Sequence, residues 1–485
     1  MLPAAAMAAG ISGLVALILL GIQLPADPAI GVTASDAPFT DEGWYVLAAR
    51  NQALLGSLAT DEWQLGWATL PFTLIVAAAF EMFDVGIVQA RTVSLVCSVA
   101  AVALVAALVA ERLGKVAGIV AGVALATSSL LLFYGRLAIL EPMVVLFLVV
   151  GLVLLLPRTA GGSFAPGAAA GAAFALAIGT KPSAAMAVAG VLVGVTVASR
   201  GALPGLGRRI LAAVGTIAVA ALAWAIVVLL QPDVLDSVLR LWAVQAAPAS
   251  AMDVVQRAID YAGESDRAIP MAAPLLFGSI IGIGLIAVRW RSLDPSRRAL
   301  AGAATGWIVL GIATLLVASY RPSRYVVPML PAMAILTAFG VALALEYASA
   351  RMLAARGFAA TAVMTAALCI GLALLGVRDL VDWTAAATYR LPQIQAELLE
   401  LVTDGHAIEG HAGPTFAMRV PVPTIVVRAG LNEGDLYASH DVRWFLAGRG
   451  ARPTWAVGHP EEWAAREHIA CYPWPPGETC LIRLP

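Results

Sequence analysis

The chain has 485 residues, of which 60% are hydrophobic and 13% charged, with a formal net charge of -1. That composition excludes an ordinary soluble globular protein, and near-neutrality leaves no electrostatic footprint for a nucleic-acid partner. A bilayer core about 30 Å thick needs roughly 20 apolar residues per helix.

Eleven such segments are predicted, over 4–24, 85–110, 116–134, 142–156, 166–180, 182–199, 210–230, 271–288, 299–318, 326–345 and 357–377. The predicted fold is therefore an all-α polytopic membrane bundle of about 11 transmembrane helices. No Lys or Arg precedes the first segment and no small-residue cleavage site follows it, so a retained helix is expected rather than a signal peptide. With the N-terminus cytoplasmic, short inner connections carry Arg112, Lys115, Arg158, Arg200, Arg208, Arg209, Arg289, Arg291, Arg297, Arg298, Arg351 and Arg356, as the positive-inside rule asks. The opposite face then receives the loop 25–84, the loop 231–270 and the tail 378–485. Residues 1–377 are expected to form the transmembrane module and 378–485 a small extracytoplasmic α/β domain.

The first outer loop contains TDEGWYVLAARNQALLGS. Trp44, Leu47, Ala48, Leu54 and Leu55 keep helical spacing, which predicts an amphipathic helix at the membrane surface with Thr40 as its N-cap. Asp41 and Glu42 open that helix. Two readings stand side by side: favourable charges on the helix dipole, worth about 0.3–1 kcal/mol each, or paired carboxylates of a reactive site. The triplet recurs in TDEW at Asp61 and Glu62, beside Trp63 and Trp67, which read as interface anchors.

Three further polar islands interrupt the apolar run, all at the same face. FYGRLAILEPM places Arg136 and Glu141 five residues apart, an awkward spacing for mutual pairing on one helix, so other partners are expected. AIGTKPSAAMAV holds Lys181, one of only two lysines. An ionisable group among apolar residues normally faces a cavity and has a partner, the alternative being a side chain that snorkels to the headgroups. ASYRPSRYVVPMLPAM sets Tyr320, Arg321, Arg324 and Tyr325 on one short turn, where guanidiniums beside phenols suit phosphate oxygens or lipid headgroups. Carboxylates and cations gathered around one outer cavity point to chemistry on a phosphorylated lipid.

The tail loses the membrane pattern. LPQIQAELLELV reads as a helix and PTIVVRA as a strand, and nine arginines against thirteen acids from Arg378 to Pro485 rule out a polyanion-binding module. Cys97 and Cys369 fall within spans, whereas Cys471 and Cys480 lie close together in the tail, where an oxidising compartment would let them pair. All five histidines, His406, His411, His440, His459 and His468, are in the tail at spacings that match no zinc motif. No metal site is expected from the protein ligands alone. A divalent cation bridging phosphate and carboxylate is compatible with oxygen ligands, although no Asp-x-Asp motif is present.

Taken in order, DEGWYVLAARNQALLGS, YGRLAILEPM, GTKPS and RYVVPMLPAMAI make the chain resemble the GT-C membrane glycosyltransferases, nearest to bacterial relatives of protein O-mannosyltransferases and lipid A aminoarabinose transferase. The resemblance runs from the N-terminus to about residue 345. It implies a hexosyl- or pentosyltransferase in the cytoplasmic (inner) membrane that moves one sugar from a polyprenyl-phosphate donor to a lipid, glycan or protein acceptor at the outer face. It further implies Asp41 as general base, Lys181 as its ion-pair partner, Glu141 as second acid with Glu42 beside them, and Arg136, Tyr320, Arg321, Arg324 and Tyr325 around the donor phosphate. Position 141 is often Asp in the family, and the family's Lys-Pro-Pro in the first outer loop is replaced here by WQLGWATLPF. Rival readings are a lipid or glycan transporter or flippase, a noncatalytic assembly subunit, and an oligosaccharide ligase of similar architecture.

Overall fold

The computed structural model describes residues 2–28, 41–58, 65–157, 163–200, 202–243, 250–264, 268–318, 322–351, 371, 374, 376–426, 439–448, 450–453, 455–474 and 477–485. Among them, six helical stretches are long and apolar enough to cross a membrane, and five shorter apolar helices accompany them. The protein is a multi-pass membrane bundle. In chain order come α1 (Leu2–Gly21), α2 (Asp41–Leu55), α3 (Leu65–Ala68), α4 (Leu70–Phe83), α5 (Ile87–Leu113), α6 (Lys115–Ala126), α7 (Ser129–Tyr134), α8 (Glu141–Leu155), α9 (Phe164–Thr180), α10 (Ala184–Ser199) and α11 (Leu206–Leu229). They continue with α12 (Pro232–Ala243), α13 (Ala251–Glu264), α14 (Ala268–Arg289), α15 (Pro295–Val317) and α16 (Leu330–Arg351), the last entered through a 3₁₀ turn, Ser323–Met329.

Alanine and glycine let these helices approach closely, as suits association in lipid. One close pair is α10 with α15: a Cβ on Gly194 would lie 2.0 Å from the carbonyl oxygen of Gly302, so neither helix can bulge there. Trp307, Phe339 and Phe174 fill the centre without solvent contact. On the outside, α11 leaves Leu211, Val219, Leu222 and Leu229 uncovered, the pattern of a helix that faces acyl chains.

Besides α2, the first outer loop holds a helix that the sequence reading did not single out: α4 is apolar, with Phe72, Val76 and Phe80 buried. At ~1.5 Å per residue its 14 residues span about 21 Å, short of a bilayer, and it packs on α2 and α5 at the end of the bundle where α1 finishes. The loop 231–270 likewise holds two amphipathic helices, α12 and α13, and Val234 and Val238 of α12 pack with Val228 beneath Trp67 and Trp224. Of the expected last span, 357–377, nearly all lies outside the described residues, as does Thr40.

The C-terminal part combines α17 (Arg390–Leu401), the short helix α18 (Gly413–Phe416) and a five-stranded mixed sheet built from β1 (Ala407–Glu409), β2 (Thr424–Ile425), β3 (Val442–Gly448), β4 (Glu467–Trp474) and β5 (Gly477–Arg483). Its strand order is β2-β1-β3-β5-β4, parallel for β2-β1-β3 and antiparallel for β3-β5-β4. Cys471 and Cys480 face each other across β4 and β5 and form a disulfide. A carboxylate from the bundle starts α17: Asp27 accepts from the Arg390 and Leu391 amides at 2.8 and 2.9 Å and from the Thr388 hydroxyl at 2.6 Å. This satisfies amides that the first turn of a helix leaves open.

Candidate active site

Asp41 and Glu42 are neighbours in sequence, yet about 100° of helix rotation separates their side chains. Asp41 turns toward the bundle axis and meets Arg324, with Nη2 2.8 Å from Oδ2. Arg324 sits on the 3₁₀ turn that Pro322 opens and Pro328 stiffens, and its Nε lies 3.5 Å from Oε1 of Glu141. That same oxygen accepts from Nζ of Lys181 at 2.5 Å. Nζ in turn sits 3.7 Å above the ring of Tyr325, a cation–π contact. Four charges and one ring thus form a chain from Asp41 through Arg324 and Glu141 to Lys181 and Tyr325.

Local sequence explains each placement. Glu141 occupies the first turn of α8, where the dipole favours a carboxylate, and Pro142 behind it has no amide to leave unpaired. Lys181 takes extended backbone at the end of α9, because Pro182 stops the helix there. Its side chain consequently points inward at the α9–α10 bend instead of along a helix flank. Glu141 and Lys181 are closed off from solvent, whereas Asp41 retains 20% of its side-chain surface, so the aspartate is the member that reaches the opening. The positive charges of Arg324 and Lys181 balance Asp41 and Glu141. Both carboxylates are held by a guanidinium between them, so the residues present do not fit a metal ion bridging Asp41 and Glu141 unless Arg324 moves.

Two tyrosines that the sequence reading overlooked complete the wall. Tyr45 lies one turn beyond Asp41, and burial holds its phenol well above the ordinary value within the fields of Arg324, Asp41, Glu141 and Tyr325. It therefore remains a hydrogen-bond donor at neutral pH. Tyr134 bonds Ser323 beside the same charges. The i, i+4 spacing from Asp41 was the available signal for Tyr45; Tyr134 is the residue that opens YGR.

Other expected members are elsewhere. Glu42 is completely buried and takes two parallel hydrogen bonds from Arg91, at 2.8 and 2.7 Å, plus the Ala138 amide at 2.8 Å. Arg91 also donates to the Leu24 and Ala26 carbonyls. With both its oxygens bonded, Glu42 ties together α1, α2, α5 and the 135–140 turn, apart from the chain that runs from Asp41 to Tyr325. Arg136 belongs to this brace too: it donates to the Ile22 carbonyl and stacks 4.2 Å over Trp383, so it does not join Arg324 and Lys181. The expected Asp41–Lys181 pair is replaced by Asp41–Arg324 and Glu141–Lys181. Tyr320 and Arg321 lie outside the described residues.

The model of the family described as dolichyl-phosphate-mannose-protein mannosyltransferase matches residues 69–230, a stretch that contains Glu141 and Lys181. The structure is similar to that of ArnT from Cupriavidus metallidurans bound to undecaprenyl phosphate, with a TM-score of 0.64 and 17% identity over 98% of this chain and 97% of that one. It is also similar to the oligosaccharyltransferase AglB from Archaeoglobus fulgidus in complex with an inhibitory peptide and a dolichol-phosphate, with a TM-score of 0.55 and 11% identity over 91% of this chain and 69% of that one. No curated protein matches the chain in sequence. The family match and both structural likenesses agree with the resemblance read from the motifs, and the fold is the one shared with ArnT and AglB.

Proposed function

On this GT-C fold, we propose that the protein is a membrane glycosyltransferase that moves a single sugar from a polyprenyl-monophosphate donor to an acceptor hydroxyl or amine, with Asp41 as general base. The observation that carries the reading is the chain of charges Asp41–Arg324–Glu141–Lys181–Tyr325 at one end of the bundle. Without donor, Arg324 is held by a carboxylate. A donor phosphate competes for that guanidinium and for Lys181, and in doing so releases Asp41 to act on the acceptor. As the acceptor oxygen or nitrogen attacks the anomeric carbon, Asp41 takes its proton and the sugar–phosphate C–O bond breaks, the electron pair leaving with the polyprenyl phosphate. A positioned base contributes about 10²–10⁴ in rate. Charge growing on the departing phosphate is met by cations already fixed in place, and Glu141 keeps both of them aimed. Attack opposite the leaving phosphate inverts the anomeric carbon.

Structures of relatives with undecaprenyl phosphate and dolichol-phosphate support a lipid-phosphate ligand. The outer face of the cytoplasmic membrane is supported by arginines at the opposite end of the bundle, at the α5–α6, α10–α11 and α14–α15 turns, and by the Cys471–Cys480 disulfide. In this reading 1–377 is the catalytic membrane module and 378–485 is extracytoplasmic. A flippase would place its polar groups near the midplane, whereas these cluster at one end. The likeness to AglB keeps oligosaccharide transfer as the second reading.

The test is transfer by the purified protein from a panel of radiolabelled polyprenyl-monophosphate sugars and polyprenyl-pyrophosphate oligosaccharides into a membrane extract, with the product anomer assigned by NMR. Consumption of one monophosphate donor with inversion is expected. Consumption of a pyrophosphate oligosaccharide alone would shift the assignment to the ligase, and consumption of none would end it in favour of a flux measurement.

A further inference from the structure

The site is assembled from two bodies. Glu141, Lys181, Arg324 and Tyr325 belong to the bundle, whereas α2, which carries Asp41, follows α1 in the first outer loop and lies between the bundle, to which Glu42 and α4 tie it, and the C-terminal part. Arg50, on the same helix nine residues after Asp41 and so about 13 Å along it, has no solvent contact. Its Nε donates to the Met418 carbonyl at 3.0 Å, and Nη2 reaches the carbonyls of Ala417 at 3.4 Å, Val422 at 2.8 Å and Val420. Nη1 donates to the Asn51 side-chain oxygen at 2.6 Å. Every one of these acceptors is an amide carbonyl. Burial pushes Arg50 down to about 9, still above neutral pH, so the full set of donors is retained. An ammonium has three donors and no planar fork, and it could not address a curl of carbonyls from 417 to 422.

One face of α2 continues along the same surface while the other packs on α4. Gly43 touches α18 so closely that a Cβ would fall 2.3 Å from the Thr415 amide nitrogen. Trp44 donates its indole N–H to the His411 carbonyl at 3.0 Å. Val46 and Ala49 share one apolar cluster with Phe416, Met418, Val420 and Val422.

We propose that the C-terminal part is a working component of the transfer site, and that Arg50 is a positioning residue which fixes α2, and through it Asp41, relative to the cations on the bundle. The inference rests on the transfer reading for its consequence in rate, but its geometry is independent of that reading. Loss of the clamp leaves Arg324, Lys181 and Tyr325 where they are, so donor binding persists while the base loses its alignment. A defect in turnover without one in donor affinity is the signature, since a 1 Å misplacement of a reacting group can lower rate about 10²-fold.

The experiment pairs kinetics with a distance. Spin labels on Leu55→Cys in α2 and Met186→Cys in α10, in a Cys97→Ser, Cys369→Ser background, report the placement of α2 by pulsed electron resonance in nanodiscs. Arg50→Met is expected to broaden the distance distribution, to lower kcat at least tenfold and to leave donor KM within twofold, with Arg50→Lys intermediate. An unchanged distribution, an unchanged kcat, or a loss confined to KM would overturn the proposal. Should Arg50→Met fail to give monodisperse protein, Trp44→Phe removes a single bond from the same interface and is expected to lower kcat about threefold at unchanged KM; wild-type kcat there would equally overturn it. A broadened distribution in a protein whose wild type transfers from no donor would remove the transfer reading and leave the positioning of α2 standing.

Discussion

Asp41 and Glu42 are adjacent acids at the head of one helix, and each is bound by an arginine, yet their surroundings differ in kind. Around Glu42 every contact is closed: two parallel bonds from Arg91, a backbone amide, and an arginine whose remaining nitrogen is taken by carbonyls of the α1 end. Around Asp41 the ion pair to Arg324, seen among the described residues, lies at a partly accessible edge, and its arginine is shared with a second carboxylate. A carboxylate with both oxygens bonded in a sealed place holds the fold. One paired at a partly exposed edge can be released to react. On the proposed reading, one sequence motif is half chemistry and half scaffold.

The largest expected effect lies on the scaffold side. Removing one member of a buried, hydrogen-bonded ion pair leaves an uncompensated charge and costs about 3–5 kcal/mol, so Glu42→Ala should lower the melting temperature of the detergent-solubilised protein markedly. The double variant with Arg91→Met should be less destabilised than the sum of the two singles; strict additivity would mean that the pair is not a unit. On the reactive side, Arg324→Met removes a charge-assisted contact to phosphate worth about 1.5–3 kcal/mol. Donor KM should rise by roughly ten- to hundredfold, with a lower melting temperature because Arg324 is itself buried between two carboxylates, and an unchanged KM in the folded fraction would take Arg324 out of donor binding. Asp27→Ala opens the start of α17 and should cost about 0.5–2 kcal/mol, read as a lower melting temperature without a change in donor KM. Smallest is Tyr325→Phe, which keeps the ring under Lys181 but deletes one hydroxyl. Net hydrogen bonds are worth about 0.5–1.5 kcal/mol, so a rise in donor KM of at most about tenfold is expected, and a larger one would point to a role beyond phosphate contact.

Much of the bundle was legible because about 20 apolar residues in a row have few structural alternatives, and the polar islands at Arg136–Glu141, Lys181 and Arg324–Tyr325 stood out against them. The membership of those islands was less legible. Helical rotation decides that Asp41 and Glu42 diverge, and the fold of the 135–140 turn decides that Glu141 joins the site while Arg136 joins the brace; neither follows from spacing in the chain. Which cation faces which acid is set by contacts 40 residues or more apart in sequence, so the exchange of partners between Lys181 and Arg324 had no local signal. Helix α4 was hidden by length, since its 14 residues fall below the span criterion and sit among polar neighbours. Arg50 was unreadable for another reason: its partners are backbone carbonyls, which any residue supplies.

The central claim is that Asp41 reacts while Glu42 braces, and the most direct measurement compares Asp41→Asn with Glu42→Gln for both sugar transfer and melting temperature. The account predicts that Asp41→Asn melts as the wild type does and loses transfer by at least a hundredfold, whereas Glu42→Gln melts lower and its folded fraction still transfers. Transfer by Asp41→Asn at the wild-type rate, or loss of transfer in a Glu42→Gln protein of wild-type stability, would contradict it.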